Sequence, residues 1–194
     1  MFTSRMVWAA AHWRRGVLRR WHTADKAVWA AVLLLALVLA GFGVALQAHF
    51  AREDERRVAA REAERRNLEC LARNVYFEAR GESVAGMVAV AEVTMNRKAS
   101  RLYPGSVCEV VHQKNWDPLR GRFVGAFSWT EFDSLPEPGG EAWQLAREVA
   151  EAVYYRRVAP TLQGALHFHA THINPPWAKE KKLVARIGRH VFYR

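Results

Sequence analysis

The sequence predicts an α+β protein. A mostly helical C-terminal domain with a small β-hairpin is preceded by a single transmembrane helix and a helical stalk. Three observations predict it. Residues 27–48 carry no formal charge over about 22 positions, the length that crosses a bilayer. Helical apolar spacing runs through residues 68–99 and again through 141–157. Beyond Pro160, residues 166–173 and 183–192 have the pattern of short strands, parted by Asn174-Pro175-Pro176. The expected boundaries are 1–26 for a basic segment, 27–49 for the membrane helix, 50–67 for the stalk and 68–194 for the folded domain.

The basic segment sets Arg5, Arg14, Arg15, Arg19, Arg20 and Lys26 against Asp25, with Trp8, Trp13 and Trp21 interleaved. Such a composition fits nucleic acid. An apolar span follows directly, so an anchor at lipid headgroups is the better reading and no nucleic-acid partner is expected. The span is centred on Leu33-Leu34-Leu35 and is apolar on all sides, unlike an amphipathic surface helix. Trp29 stands near one end, where interfacial aromatics gather. A cleaved signal peptide would have a shorter apolar region, and Gly43-Val44-Ala45 is a weak cleavage site. A buried core helix rarely stays uncharged for so long. Positive charge on the N-terminal flank keeps that end in the cytoplasm. The expectation is therefore a single-pass protein of the inner membrane with its C-terminal domain in the periplasm.

The stalk is rich in Ala, Arg and Glu and lacks Gly and Pro. Glu53 with Arg57 and Glu62 with Arg66 have the favourable i, i+4 order. At 1.5 Å per residue it would extend about 25 Å. Its apolar content is too thin for a coiled coil.

In the domain, Leu68, Leu71, Val75 and Ala79 lie on one helical face, and Gly81 is suited to a C-terminal cap. Glu78 then occupies the last turn, beside Tyr76 and Phe77. Burial there raises the pKa of a carboxyl group, the property required of a general acid that cleaves an acetal. The alternative is an ordinary ion pair with Arg73 or Arg80. Val84–Ala99 is apolar nearly all round and reads as the central buried helix. Tyr103-Pro104-Gly105 is a turn, and Ser106 caps a short helix. Residues 112–140 are rich in Pro and Gly and read as irregular, either a binding loop or disorder. Trp116, Phe123, Phe127 and Trp129 favour binding, although a small core also needs aromatics. Ala142, Leu145, Val149 and Val153 share a face of the next helix, which Pro160 ends. The C-terminal end is basic, with Lys179, Lys181, Lys182, Arg186, Arg189 and Arg194 against Glu180.

Residues 71–82 read Leu-Ala-Arg-Asn-Val-Tyr-Phe-Glu-Ala-Arg-Gly-Glu, and residues 88–97 read Val-Ala-Val-Ala-Glu-Val-Thr-Met-Asn-Arg. Towards the end come His167-Phe168-His169-Ala170-Thr171, Asn174-Pro175-Pro176-Trp177-Ala178 and Ile187-Gly188-Arg189-His190-Val191-Phe192-Tyr193. In this order the motifs resemble the cell-wall hydrolase family of the spore-cortex-lytic enzymes, over roughly residues 68–194. The resemblance implies a lysozyme-like domain that cuts the MurNAc–GlcNAc bond of peptidoglycan, with Glu78 as the catalytic acid. It also favours pairing of Cys70 with Cys108, which an oxidising compartment permits; two buried free thiols are the alternative. Where the family often has Gln-Phe-Ser, this chain has Ala126-Phe127-Ser128, so the amide contact is missing.

Candidate substrate-binding residues are Asn96, Phe127, Ser128, His169, Asn174 and Trp177. Asn96 either meets a sugar hydroxyl or acetamido group or caps its helix. A second carboxylate to activate water would come from Glu82 or Asp117, although Glu82 follows Gly81 and fits a helix cap as well. A lytic transglycosylase needs no second carboxylate. Its muramic 6-hydroxyl attacks the anomeric carbon, and one Glu serves as acid and then base. The single dominant Glu78 favours that outcome. Two other readings compete. His167, His169 and His172 raise a metal-dependent amidase, but His-x-His is a weak motif without a third ligand, and no metal or cofactor is expected. The basic tail alone would serve a non-catalytic peptidoglycan-binding module.

Overall fold

The structure is a computed structural model. It describes residues 26–118 and 120–194 in full, and the backbone of 3–25. The side chains of the basic segment, including Trp8, Trp13 and Trp21, lie outside the described residues. The chain divides into two compact units, Met1–Ala59 and Ala60–Arg194. Helix α1 is Thr3–Ala79.

In the first unit, α1 is long and apolar enough to cross a membrane, and among the described residues nothing buries that apolar stretch. Leu33, Leu34, Leu35, Leu37 and Leu39 are all exposed. A helix satisfies its own backbone, so such an apolar surface fits a lipid environment. Further along, the Glu53 carboxylate pairs with the Arg57 guanidinium at 3.7 Å in the expected i, i+4 order.

The second unit is a mixed fold of helices and two small sheets. It contains the last turns of α1, then α2 (Val84–Ala99), α3 (Val107–Val111) and α4 (Gly140–Tyr154). Between α3 and α4 lie β1 (Lys114–Asp117), β2 (Arg122–Gly125) and a 3-10 turn, Ser128–Glu131. After α4 come β3 (His167–Ala170), a 3-10 turn at Pro176–Glu180, β4 (Leu183–Ile187) and β5 (His190–Tyr193).

Helix α2 is the central helix, as its all-round apolar pattern requires. Met87, Val90 and Ala91 pack with Leu71, Val75 and Tyr76 of α1, Val107 and Val110 of α3, and Val149 and Val153 of α4. Ala89 and Val93 on another side pack with Leu162, Ala165 and Phe192. Ser83 caps its N-terminus, accepting the Gly86 N–H. Glu92 is buried, but its carboxylate accepts the N–H groups of Thr161 and Leu162 and so fixes the segment after α4. Helix α3 is too short to persist alone. It is held by a full capping box between Ser106 and Glu109, and by a disulfide between Cys70 on α1 and Cys108.

Four expectations change. Residues 112–140 are not wholly irregular, because β1 and β2 form an antiparallel hairpin with Trp116 opposite Phe123. Pro118 and Gly121 form its loop, and Gly121 has a positive φ of 61°. Residues 183–192 are two strands rather than one. Gly188, at φ 55°, turns the chain, so the C-terminal sheet has three strands in the order β3-β5-β4. Helix α4 stops at Tyr154, ahead of Pro160. Arg156 adopts a left-handed φ of 55°, and the Arg157 N–H returns to Ala152 O at 2.7 Å in a Schellman-type end. Finally, α1 does end at Ala79, but Gly81 lacks a positive φ. Its small size matters instead: the Arg189 guanidinium donates to Gly81 O at 3.0 Å, and a Cβ would meet that nitrogen at 2.9 Å.

The Cys70–Cys108 bridge joins residues 38 apart. Closing a loop of that length stabilises a fold by about 2–4 kcal/mol. The Cys70→Ser/Cys108→Ser chain should lose that amount, read as a lower urea midpoint for the full chain in detergent. Equal midpoints for the two proteins would contradict this account.

Candidate active site

The last turn of α1 is fixed by a line of buried polar groups. Trp129 Nε1 donates to Asn74 Oδ1 at 2.8 Å, Asn74 Nδ2 donates to Thr94 Oγ1 at 3.0 Å, and Thr94 Oγ1 donates to Val90 O at 3.1 Å. Asn74 and Thr94 are fully buried, so each of these bonds answers a polar atom that has no access to water. Phe77 stacks on Trp129 with ring centroids 4.8 Å apart.

One turn beyond Asn74 stands Glu78. Among the described residues it has no hydrogen bond or ion pair. The two arginines that an ordinary ion pair would use are engaged elsewhere: Arg73 donates to Glu137 at 3.2 Å, and Arg80 lies over the Tyr76 ring at 5.2 Å. Burial raises the Glu78 carboxyl to about 7, and the charge of Arg97 pulls against that rise. Near neutral pH the group therefore exists in both protonated and ionised forms, as proton donation followed by proton uptake requires.

Arg97 comes from the last turn of α2 and is only 8% exposed. Its Nε donates to Leu166 O at 2.8 Å, and its guanidinium lies between the rings of Phe127 and Tyr103, at 4.9 and 5.5 Å. Arg97, Tyr103, Gln113, Asn115, Ala126 and His167 line a cleft of about 390 Å³. Burial, with the nearby charges of Lys181 and Arg97, pushes His167 down to about 4 and keeps it neutral at physiological pH.

The Cell Wall Hydrolase family matches residues 81–193. The chain belongs to this family. Among curated proteins, the spore cortex-lytic enzyme of Bacillus subtilis is 29% identical over 129 residues, covering 65% of this chain and 37% of that protein. The spore cortex-lytic enzyme of Halalkalibacterium halodurans is 28% identical, covering 65% and 34%. The chain thus spans little more than a third of the length of these relatives. Among solved structures, the catalytic domain of the germination-specific lytic transglycosylase SleB from Bacillus anthracis is 25% identical, with a TM-score of 0.47, covering 66% of this chain and 93% of that one. The catalytic domain of the Bacillus cereus SleB protein gives 0.45 and 25%, covering 66% and 89%. The matched family region begins just after Glu78.

In this cell wall hydrolase the other residues singled out from sequence have different fates. Glu82 is committed: its side chain is 5% exposed and accepts the Arg189 Nε at 2.6 Å and the Arg189 backbone N–H at 2.9 Å. Burial opposes its charge, yet the Arg189 bonds prevail and hold the carboxyl below the usual range. Gly188 is required here, since a Cβ would collide with the Glu82 carboxylate. Asp117 lies at the end of β1, where it accepts the Arg120 N–H at 3.2 Å and pairs with its guanidinium at 3.6 Å. Phe127 is 2% exposed, so its ring supports Arg97 and the core and has no free face for a sugar. Ser128 is exposed at the start of the 3-10 turn. Asn96 neither faces Glu78 nor caps α2; its Nδ2 donates to Leu162 O and Ala165 O at 2.9 and 3.1 Å.

His169 hydrogen-bonds Ala170 O and the Tyr193 hydroxyl and stacks on the Tyr193 ring. Trp177 packs edge-on against His169 and Tyr193 and lies 5.7 Å from the His167 ring. Asn174 is exposed just before that turn. Among the described residues no three His, Cys, Asp or Glu side chains are grouped as metal ligands. The sequence assigns no role to Arg97 or Asn74, and Trp129, expected in binding or in the core, serves to hold Asn74. Asn74 was detectable as a polar residue on the same helical face as Leu71 and Val75.

Glu82→Gln tests the structural role of that carboxylate. A hydrogen bond to a charged group contributes about 1.5–3 kcal/mol, and the variant should lose stability of that order. Because the Glu82 pKa is lowered on folding, its contribution is present above the unfolded pKa and fades as pH falls through the folded one. The difference between parent and variant in urea melts should therefore shrink on acidification; a constant difference would rule this role out.

Proposed function

We propose that this chain is a membrane-anchored, peptidoglycan-cleaving enzyme that cuts the MurNAc–GlcNAc glycosidic bond as a lytic transglycosylase. The observation that carries the proposal is Glu78: a carboxyl desolvated in the last turn of α1, without a hydrogen-bond partner among the described residues, poised near neutrality. The protonated Glu78 donates to the glycosidic oxygen as the bond from C1 breaks. The resulting carboxylate then takes the proton of the muramic 6-hydroxyl while O6 bonds to C1. The product is a 1,6-anhydro end, and Glu78 returns to its acid form. A pKa near 7 suits both halves of this cycle. Glu82 and Asp117, the candidates for a water-activating partner, are held by Arg189 and Arg120, which supports the route that needs only one carboxylate. Membership of the cell wall hydrolase family accords with this substrate, as do curated relatives named spore cortex-lytic enzymes.

Glu78→Gln keeps size and polarity but cannot deliver a proton. Release of soluble muropeptides from purified sacculi should fall at least about 10²–10⁴-fold. Mass analysis of the parent's products should show anhydromuramyl ends; reducing ends would mean hydrolysis, and free stem peptides an amidase. Folding should survive, and the pH dependence of stability gives a second readout. A carboxyl whose pKa is raised on folding opposes the fold once it ionises. The variant should match the parent below about pH 4.5 and exceed it by about 2–4 kcal/mol above pH 7. An active Glu78→Gln chain would sink the mechanism.

The uncharged span and its basic flank support a cytoplasmic N-terminus and a periplasmic catalytic unit. A reporter that works only in the periplasm should be active when fused after Arg194. Activity of a cytoplasmic reporter in its place would reverse this topology.

A further inference from the structure

A second cavity, of about 720 Å³, lies at the C-terminal ends of α2 and α4. It is lined from α2 by Glu92, Met95, Asn96 and Ala99. These positions, spaced i, i+3, i+4 and i+7, form the stripe of α2 opposite Arg97. The cavity is therefore separate from the cleft that Arg97 and His167 line. Its size is that of a small-ligand site.

We infer that this cavity binds a short carboxylate-bearing peptide. Its wall holds three cations, Lys98, Arg156 and Arg157, none of which has an ion-pair partner among the described residues. Two are braced by aromatic rings: Lys98 Nζ lies 5.7 Å from the Tyr154 ring, and the Arg157 guanidinium 5.1 Å from that of Tyr155. Guanidinium groups match carboxylates with two parallel hydrogen bonds. The acid in the floor, Glu92, is engaged by the N–H groups of Thr161 and Leu162.

Arg156 adds an independent indication. It occupies the left-handed position of the α4 terminus, which glycine fills without strain. The chain keeps an arginine there at a conformational cost, and that arginine faces the cavity.

The floor favours a peptide over an acyl chain. The Asn96 amide is fixed by giving Nδ2 to two carbonyls, so Oδ1 remains as an acceptor for an N–H group. A peptide supplies N–H groups, whereas an acyl chain does not. Val153, Val158 and Pro160 provide apolar cover for small side chains. The choice of ligand rests on the proposed function, since the peptides that branch from peptidoglycan carry free carboxylates.

The test is calorimetric titration of the full chain in detergent with the synthetic tripeptide L-Ala-γ-D-Glu-meso-diaminopimelate and with its fully amidated counterpart. The acidic peptide should bind at least about tenfold more tightly, the effect of one charged hydrogen-bonded pair. Arg156→Gly/Arg157→Gln should remove that preference. Glycine suits the local φ, so the fold is retained, and cleavage of peptide-free glycan should be unchanged. Equal binding of the two peptides, or undiminished binding by the variant, would overturn the inference. So would short-chain phosphatidylglycerol binding more tightly than the peptide and losing affinity in the same variant, which would assign the cavity to a lipid headgroup. Binding is read without turnover, and the same titration on Glu78→Gln separates the two readings. A parent chain that binds the peptide but cuts no wall defeats only the catalytic one, and a Glu78→Gln chain should bind the peptide as the parent does.

Discussion

The second unit depends on how a few buried polar atoms are satisfied. Asn74 bridges Trp129 and Thr94, and so ties the end of α1 to α2 and to the loop region in one line of hydrogen bonds. Leaving any of these atoms unpaired would cost about 1–3 kcal/mol, more than most single apolar contacts contribute. The bridge therefore specifies one packing of α1 on α2. That packing brings Glu78, one turn further on, within electrostatic range of Arg97.

Two carboxylates four residues apart show what the surroundings decide. Glu78 is desolvated without a partner, and its acid form persists to near neutrality. Glu82 is buried as well but meets a guanidinium and a backbone N–H of Arg189, so it stays ionised and locks the β4–β5 turn onto the end of α1. The glycine at 188 and the small residue at 81 are both consequences of that lock. One carboxyl is thus left without a partner among the described residues while the other holds the sheet in place. Arg97 links the two regions, because its Nε holds Leu166 O at the start of β3 while its charge moderates Glu78.

The helical part of the fold was legible residue by residue. Val84–Ala99 has the bounds that its continuous apolar pattern demands, and Ser106 with Glu109 forms the capping box that its spacing allows. The strands were less legible. In residues 114–125 Lys, Asn, Asp and Arg outnumber the β-branched residues, so the hairpin is held by cross-strand pairs such as Trp116–Phe123 rather than by propensity. The turn at Gly188 was hidden within an apolar run that one longer strand would also explain. The end of α4 was misplaced because proline was read as the stop, whereas a left-handed arginine had already closed the helix.

By itself the sequence determined the long apolar stretch, the helical core and the position of Glu78 in a final turn. Those features follow from local periodicity, caps and charge, which neighbouring residues alone establish. Tertiary structure decided which side chains reach the site. His167 lines the cleft while His169 is tied to Tyr193, although both lie on one strand. Phe127 turned inward, and Asn96 faces the far side of α2. Tertiary packing around α2 fixes those directions, because a side chain's partners come from segments distant in sequence and its availability is whatever those partners leave unused.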